Sequence, residues 1–358
     1  MHIPEFIVRL VFFAILVLFV LPWALALFPG ANLKAQFMLL NLGAKAKMAN
    51  RRRSAAVLGW MLRHLFMGVL ARPLGLSLYV TLAADRGQTS RAVGAADSML
   101  DATAKIVPTT CLWFMVNTAI DVYINAGCYG KALAAADRWT SSAQDRGRAS
   151  ETVAHAYAQI NRAEALHNLG KQSDALALFD EAEPSSQSDP VCKNGLRLLR
   201  AWILVHCDRR EAAKSELARV EDAALTLHYA AEYHFTRAVV ECAVNDFIAA
   251  EWDARQGQLL ARRASSKRNA LHVLARVAFA TGDMQRAIAL LEQARGHRYQ
   301  GQAGPCLALL GEAYEAVGKL EEARGAYAEA LSLDPESYAA EKARGRLDFL
   351  KTGPVDRD

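Results

Sequence analysis

The compact signatures of enzyme chemistry are missing from this sequence. Its six cysteines, Cys111, Cys128, Cys192, Cys207, Cys242 and Cys306, are widely scattered and form no Cys-x-x-Cys pair. That removes support for a zinc ribbon or a thioredoxin-like redox site. The run Gly127-Cys128-Tyr129-Gly130-Lys131-Ala132 lacks both the spacing of a phosphate-binding loop and the Ser or Thr that follows its lysine. Neither His-Glu-x-x-His nor Gly-x-Ser-x-Gly occurs. The closest histidines, His228 and His234, are six residues apart and fall on different helix faces. Paired acids such as Glu321-Glu322 read as solvated helix surface beside Lys319 and Arg324. No catalytic residue, cofactor or metal site is therefore expected. Acidic residues are also absent from positions 29–76, and that absence bears on topology.

What is present is periodicity. A small or turn-forming residue is followed five positions later by alanine seven times: Gly87/Ala92, Gly127/Ala132, Gly170/Ala175, Asp208/Ala213, Asn245/Ala250, Gly282/Ala287 and Gly318/Ala323. The alanines recur every 36 to 43 residues. A period of that length predicts stacked units rather than one globular core. In the last unit Leu307, Leu310, Gly311 and Tyr314 share one helix face, Gly318 breaks the helix, Ala323, Tyr327 and Ala330 line a second, and Pro335 ends the unit. Gly311 and Ala323 are small where two helices cross, and Gly318 supplies the freedom of a C-cap. The preceding unit, with Leu271, Leu274, Ala275, Ala278, Gly282, Ala287, Leu291 and Ala294, is nearly as regular, and the pattern loosens toward residue 77.

These offsets resemble the tetratricopeptide repeat, a helix–turn–helix unit. The resemblance implies an all-α solenoid of about seven degenerate helical hairpins over residues 77–351, with a polar tail at 352–358. An alanine-rich helical bundle is the plainer alternative.

Residues 6–28 are apolar over 23 positions with one charge, Arg9. That is long enough to span a bilayer as a helix, with Arg9 and Trp23 suited to its two interfaces. The competing reading is a cleaved signal peptide ending near Ala24-Leu25-Ala26. Residues 29–54 form a basic juxtamembrane linker carrying Lys34, Lys45, Lys47, Arg51, Arg52 and Arg53. The positive-inside rule places this stretch in the cytoplasm and assigns those residues to topology and the membrane surface. Residues 77–358 are slightly acidic in balance, which argues against nucleic acid as a partner. Residues 55–76 are apolar but interrupted by Arg63, His64 and Arg72. They read as an interfacial helix or as a second transmembrane segment, and a second span would move the repeats to the opposite side. The scattered cysteines fit small hydrophobes in a reducing compartment.

The resemblance also implies a groove. The first helix of each tetratricopeptide unit lines the concave face. In register, that face carries Asn117, Asp121 and Asn125, then Ile160, Glu164 and His167. It continues with Leu198, Trp202 and His206, then Phe235, Val239 and Cys242, then His272, Arg276 and Phe279. Large apolar groups on such a face mark an interaction site for a helix or extended peptide. A register slip would make them core instead. The Lys/Asn clamp of the chaperone-binding members is absent from these positions. Arg162, Arg200 and Arg237 stand where leucine is usual, either as a basic ladder or paired with neighbours such as Glu164 and Glu241.

The layout is similar to bacterial inner-membrane tetratricopeptide proteins that support envelope polysaccharide or lipopolysaccharide assembly. The expectation is a single-pass inner-membrane scaffold with cytoplasmic repeats that binds a protein partner. The alternatives are a periplasmic partner-binding protein and an enzyme subunit with a site hidden among degenerate repeats. Partner identity and oligomeric state are not encoded in any motif.

Overall fold

The computed structural model describes residues 71–85, 88–103, 110–144, 153–221, 227–261, 264–296 and 303–352. The expected membrane helix at 6–28, the basic linker at 29–54 and most of the segment 55–76 lie outside them. Among the described residues no helix is long and apolar enough to cross a membrane.

The described residues form fifteen helices and no strand: α1 (Ala71–Asp85), α2 (Thr89–Thr103), α3 (Thr110–Asn125), α4 (Tyr129–Gln144), α5 (Val153–Asn168), α6 (Gln172–Ser186), α7 (Pro190–His206), α8 (Arg210–Ala218), α9 (Leu227–Ala243), α10 (Phe247–Leu260), α11 (Ala264–Ala280), α12 (Met284–Arg295), α13 (Ala303–Ala316), α14 (Leu320–Leu333) and α15 (Tyr338–Thr352). They fall into two compact units. Among the described residues, one runs from 71 to 122 and the other from 123 to 352, with residues 85, 88 and 89 grouped with the second. In the first, Leu76, Val80, Leu82 and Ala83 of α1 and Ala92, Ala96 and Met99 of α2 are buried.

The second unit is a run of helical hairpins, and the turn residues explain why. Gly127, Gly170, Asp208, Asn245, Gly282 and Gly318 all adopt positive φ, between 56° and 80°. At each, the turn residue's N–H bonds back three residues, and the next N–H bonds back five. Gly318 donates to the Glu315 carbonyl and Lys319 to that of Tyr314; Asp208 and Arg209 do the same to Val205 and Leu204. This is the Schellman C-cap, which needs one left-handed residue. Glycine adopts that conformation without strain, and Asp and Asn tolerate it better than other residues. The alanine five positions on is buried at every described turn, with Ala132, Ala175, Ala213, Ala250, Ala287 and Ala323 all at 0 % exposure.

Each first helix packs on the second helix of its hairpin and also on the first helix of the next hairpin. Thus α5, α7, α9, α11, α13 and α15 make one continuous row. Size complementarity sets the crossings. A Cβ on Gly311 would come under 3.0 Å from the Tyr327 ring. In the α9/α10 hairpin the partners are exchanged: the ring belongs to the first helix, Phe235, and the space to the second, Gly257.

The arginines that replace leucine are paired rather than stacked in a ladder. Arg162 meets Asp137 at 3.0 Å, and Arg200 meets Asp180 at 2.8 Å. Asp137 and Asp180 occupy the same repeat position, so each pair ties one hairpin to the hairpin before it. Arg237 turns to its own hairpin, reaching Glu241 at 3.1 Å and Asp253 at 3.3 Å.

Candidate functional site

The row of first helices carries the positions expected to line a groove, and the structure separates them into two sets. Ile160, Leu198, Phe235 and Val239 are 8 % exposed or less. They belong to the packing between hairpins, with Phe235 filling the crossing left open by Gly257. The exchange of large and small residues between the two helices puts this aromatic in the core rather than on the groove. Glu164, Trp202, His206, Cys242, His272, Arg276 and Phe279 keep accessible surface, and His167 is buried beside them. Asn117 and Asp121 fall in the other compact unit.

Five of the second set, His167, Trp202, His206, His272 and Arg276, lie together. The His167 and His206 rings meet edge-on at 4.9 Å, and Trp202 lies 5.8 Å from His206. Burial, the neighbouring His206 and the Arg276 guanidinium hold His167 down to about 3. Burial and Arg276 likewise hold His206 at about 4. Burial, Arg276 and Arg268 hold His272 at about 3. The imidazoles are therefore neutral at physiological pH, around a permanently charged guanidinium. His167 Nδ1 is buried with no hydrogen-bond partner.

Sequence reasoning missed a further part of this site: the C-terminal segment. Asp334 and Pro335 mark only a unit's end when read by pattern, yet this segment reaches back to the start of the same compact unit. The Tyr129 hydroxyl donates to Asp334 Oδ2 at 3.0 Å across 205 residues of sequence. Tyr338 lies 5.5 Å from His167 and 5.9 Å from His206, and its Cβ stands over Gly170. A Cβ on Gly127 or Gly304 would come within 3.0 Å of the Asp334 carboxylate. Burial pushes that carboxyl up to about 6, against the hydrogen bonds from Tyr129 and Ser337. The hairpins thus curl until the last returns to the first. Asp334, Ser337 and Tyr338 occupy the interior, and Lys342 of α15 pairs with Glu312 at 2.7 Å. No periodic signal could reveal this contact, because it joins residues from non-equivalent positions.

A second polar cluster was also missed. Asp253, fully buried, accepts from His234 Nδ1 at 2.6 Å and pairs with Arg237. Burial and the Asp253 carboxyl push Glu241 up to about 7. Trp252, 54 % exposed, stands edge-on to His234. The six-residue spacing of His228 and His234 gave no hint of it, because the partner of His234 comes from the other helix of its hairpin.

Among the described residues no group of His, Cys, Asp and Glu is placed to hold a metal ion. Cys128, Cys192, Cys207, Cys242 and Cys306 form no disulfide; Cys192 and Cys306 are buried and the other three half-buried. Burial pushes the Cys192 thiol up to about 12.

Residues 305–337 match the tetratricopeptide repeat family model. No curated protein matches the sequence. Among solved structures, phAimR with its ligand is 12 % identical, covers 97 % of each chain and superposes with a TM-score of 0.52. The Rap protein complexed with competence and sporulation factor is 14 % identical over 78 % of this chain and 79 % of its own, with a TM-score of 0.52. A tetratricopeptide repeat protein from Parabacteroides merdae is 15 % identical over 78 % of this chain and 98 % of its own, with a TM-score of 0.48. At these identities the likeness is one of fold. The chain is a solenoid of helical hairpins, and its last full hairpin carries the tetratricopeptide repeat in recognisable form.

Proposed function

We propose that this chain is a scaffold that takes a peptide or helix of a protein partner on its concave face. The observation that carries this reading is the cluster of half-buried Trp202, His206, His272 and Arg276 on the row of first helices, with half-buried Phe279 on the same helix as Arg276. Such a surface offers large apolar groups together with polar ones, the usual composition of a recognition site. The Rap protein, of similar fold, is complexed with competence and sporulation factor. That supports a bound partner as a use of this architecture.

The proposal includes the N-terminal apolar segment 6–28 as a retained inner-membrane anchor and the basic residues Lys34 to Arg53 as its cytoplasmic flank. Anchoring raises the effective concentration of a bound partner near a membrane complex. Envelope polysaccharide or lipopolysaccharide assembly is the setting we propose. A periplasmic solenoid is the second reading, favoured by the apolar stretch at 55–76.

Two experiments test these parts separately. Reporters fused after Asp358 decide the side of the membrane; a periplasmic signal overturns the cytoplasmic placement. Trp202→Glu and Phe279→Glu are expected to abolish partner co-isolation, while Ile248→Glu, at an 88 % exposed position on α10, leaves it intact. The reverse pattern refutes the concave site.

A further inference from the structure

Arg276 stands apart from the other arginines of the inner row. Arg162, Arg200 and Arg237 each reach a carboxylate at 3.1 Å or less. Among the described residues Arg276 makes no ion pair or hydrogen bond, and neither does His272 one turn before it. The acid at the equivalent position one hairpin on, Glu312, is already taken by Lys342 at 2.7 Å. Arg276 is half-buried, and its field reaches His167, His206, His272 and Tyr338. A guanidinium keeps its charge at any physiological pH, and holding it inside a fold without a partner is unfavourable. A carboxylate supplied from outside would accept a two-pronged pair of N–H donors. Trp202 and Tyr338 both flank His206 and offer apolar surface beside Arg276.

We infer that the peptide taken on the concave face carries an aspartate or glutamate whose carboxylate pairs with Arg276, with His272 as an additional donor. This rests on the groove reading given above and deepens it. The cationic character comes from position rather than composition, since the whole repeat region is slightly acidic. An acidic peptide is admitted because the charge that meets it is local and makes no ion pair among the described residues.

The test is selection of peptides from a random twelve-residue display library against the full chain in detergent, alongside Arg276→Gln and Arg276→Glu, each checked for helicity. The wild type is expected to enrich peptides with Asp or Glu at one fixed position. A selected peptide and its Glu→Gln twin should bind roughly tenfold or more apart, the scale of a hydrogen bond to a charged group. Arg276→Gln should lose that discrimination, and Arg276→Glu should enrich Lys or Arg there instead. Enrichment of peptides without acidic preference, or an acidic preference unchanged in both variants, overturns this inference and leaves the groove reading standing. Failure of the wild type to enrich any peptide overturns the groove reading and this inference with it.

Discussion

Tyr129 and Asp334 stand 205 residues apart in sequence and 3.0 Å apart in the fold, both buried. The bond joins the first and last turns of one compact unit. Tyr129→Phe should destabilise by about 1–2 kcal/mol, because a buried carboxylate loses its donor. A double-mutant cycle with Asp334→Asn should show coupling of at least about 0.5 kcal/mol in chemical denaturation. Additive losses would mean the closure carries no energy of its own.

Three glycines separate three physical effects. Gly311→Ala should cost about 1–3 kcal/mol by overpacking against Tyr327. Gly282→Ala meets no neighbour but sits at φ 80°, so about 1 kcal/mol of backbone strain is expected. Gly325→Ala lies within α14 with open space around it and should stabilise by about 1 kcal/mol. Thermal unfolding ranks the three.

Acidification should weaken the fold. His167 and His272 titrate at about 3 and His206 at about 4 in the folded chain, against the ordinary 6.5. The unfolded chain therefore binds protons first, and stability falls as pH drops from 6.5 toward 4. Asp334, raised to about 6, and Glu241, raised to about 7, act in the opposite sense, because the folded chain keeps their protons. The depressed imidazoles outnumber them, with His155 also lowered by burial. The net expectation is a lower denaturation midpoint at pH 5 than at pH 7, with a shallower slope in His272→Gln. A midpoint that rises on acidification contradicts the assignment.

Ion pairs of similar length should differ in worth. Asp180 is 70 % exposed in its bond to Arg200, so Asp180→Ala should cost under about 1 kcal/mol. Asp253 is fully buried between His234 and Arg237, so Asp253→Ala should cost about 3–5 kcal/mol. Urea titrations of the two variants are sufficient to compare them.

The hairpins were legible because each depends on local chemistry repeated in sequence. Asp208 and Asn245 take the same left-handed conformation as the glycines of their register, and the alanine that follows each is buried. The first helices pack as a row, along which Trp202, His206, His272 and Arg276 keep accessible surface. Phe235 was misplaced among them because a ring may come from either helix of a hairpin, and Gly257 shows that here it comes from the first. The return of Asp334 and Tyr338 to His167 and Tyr129 was not legible. Periodicity fixes each hairpin against its neighbour, whereas closure depends on the accumulated rotation of six of them.

The measurement that tests the account most directly is photocrosslinking in cells, with a benzophenone amino acid at Trp202, at Phe279 and, on the outer surface, at Ile248. The account predicts one shared partner adduct from Trp202 and Phe279 that is absent from Ile248. Adducts from Ile248 alone, or none from the two inner positions, would contradict a concave binding face.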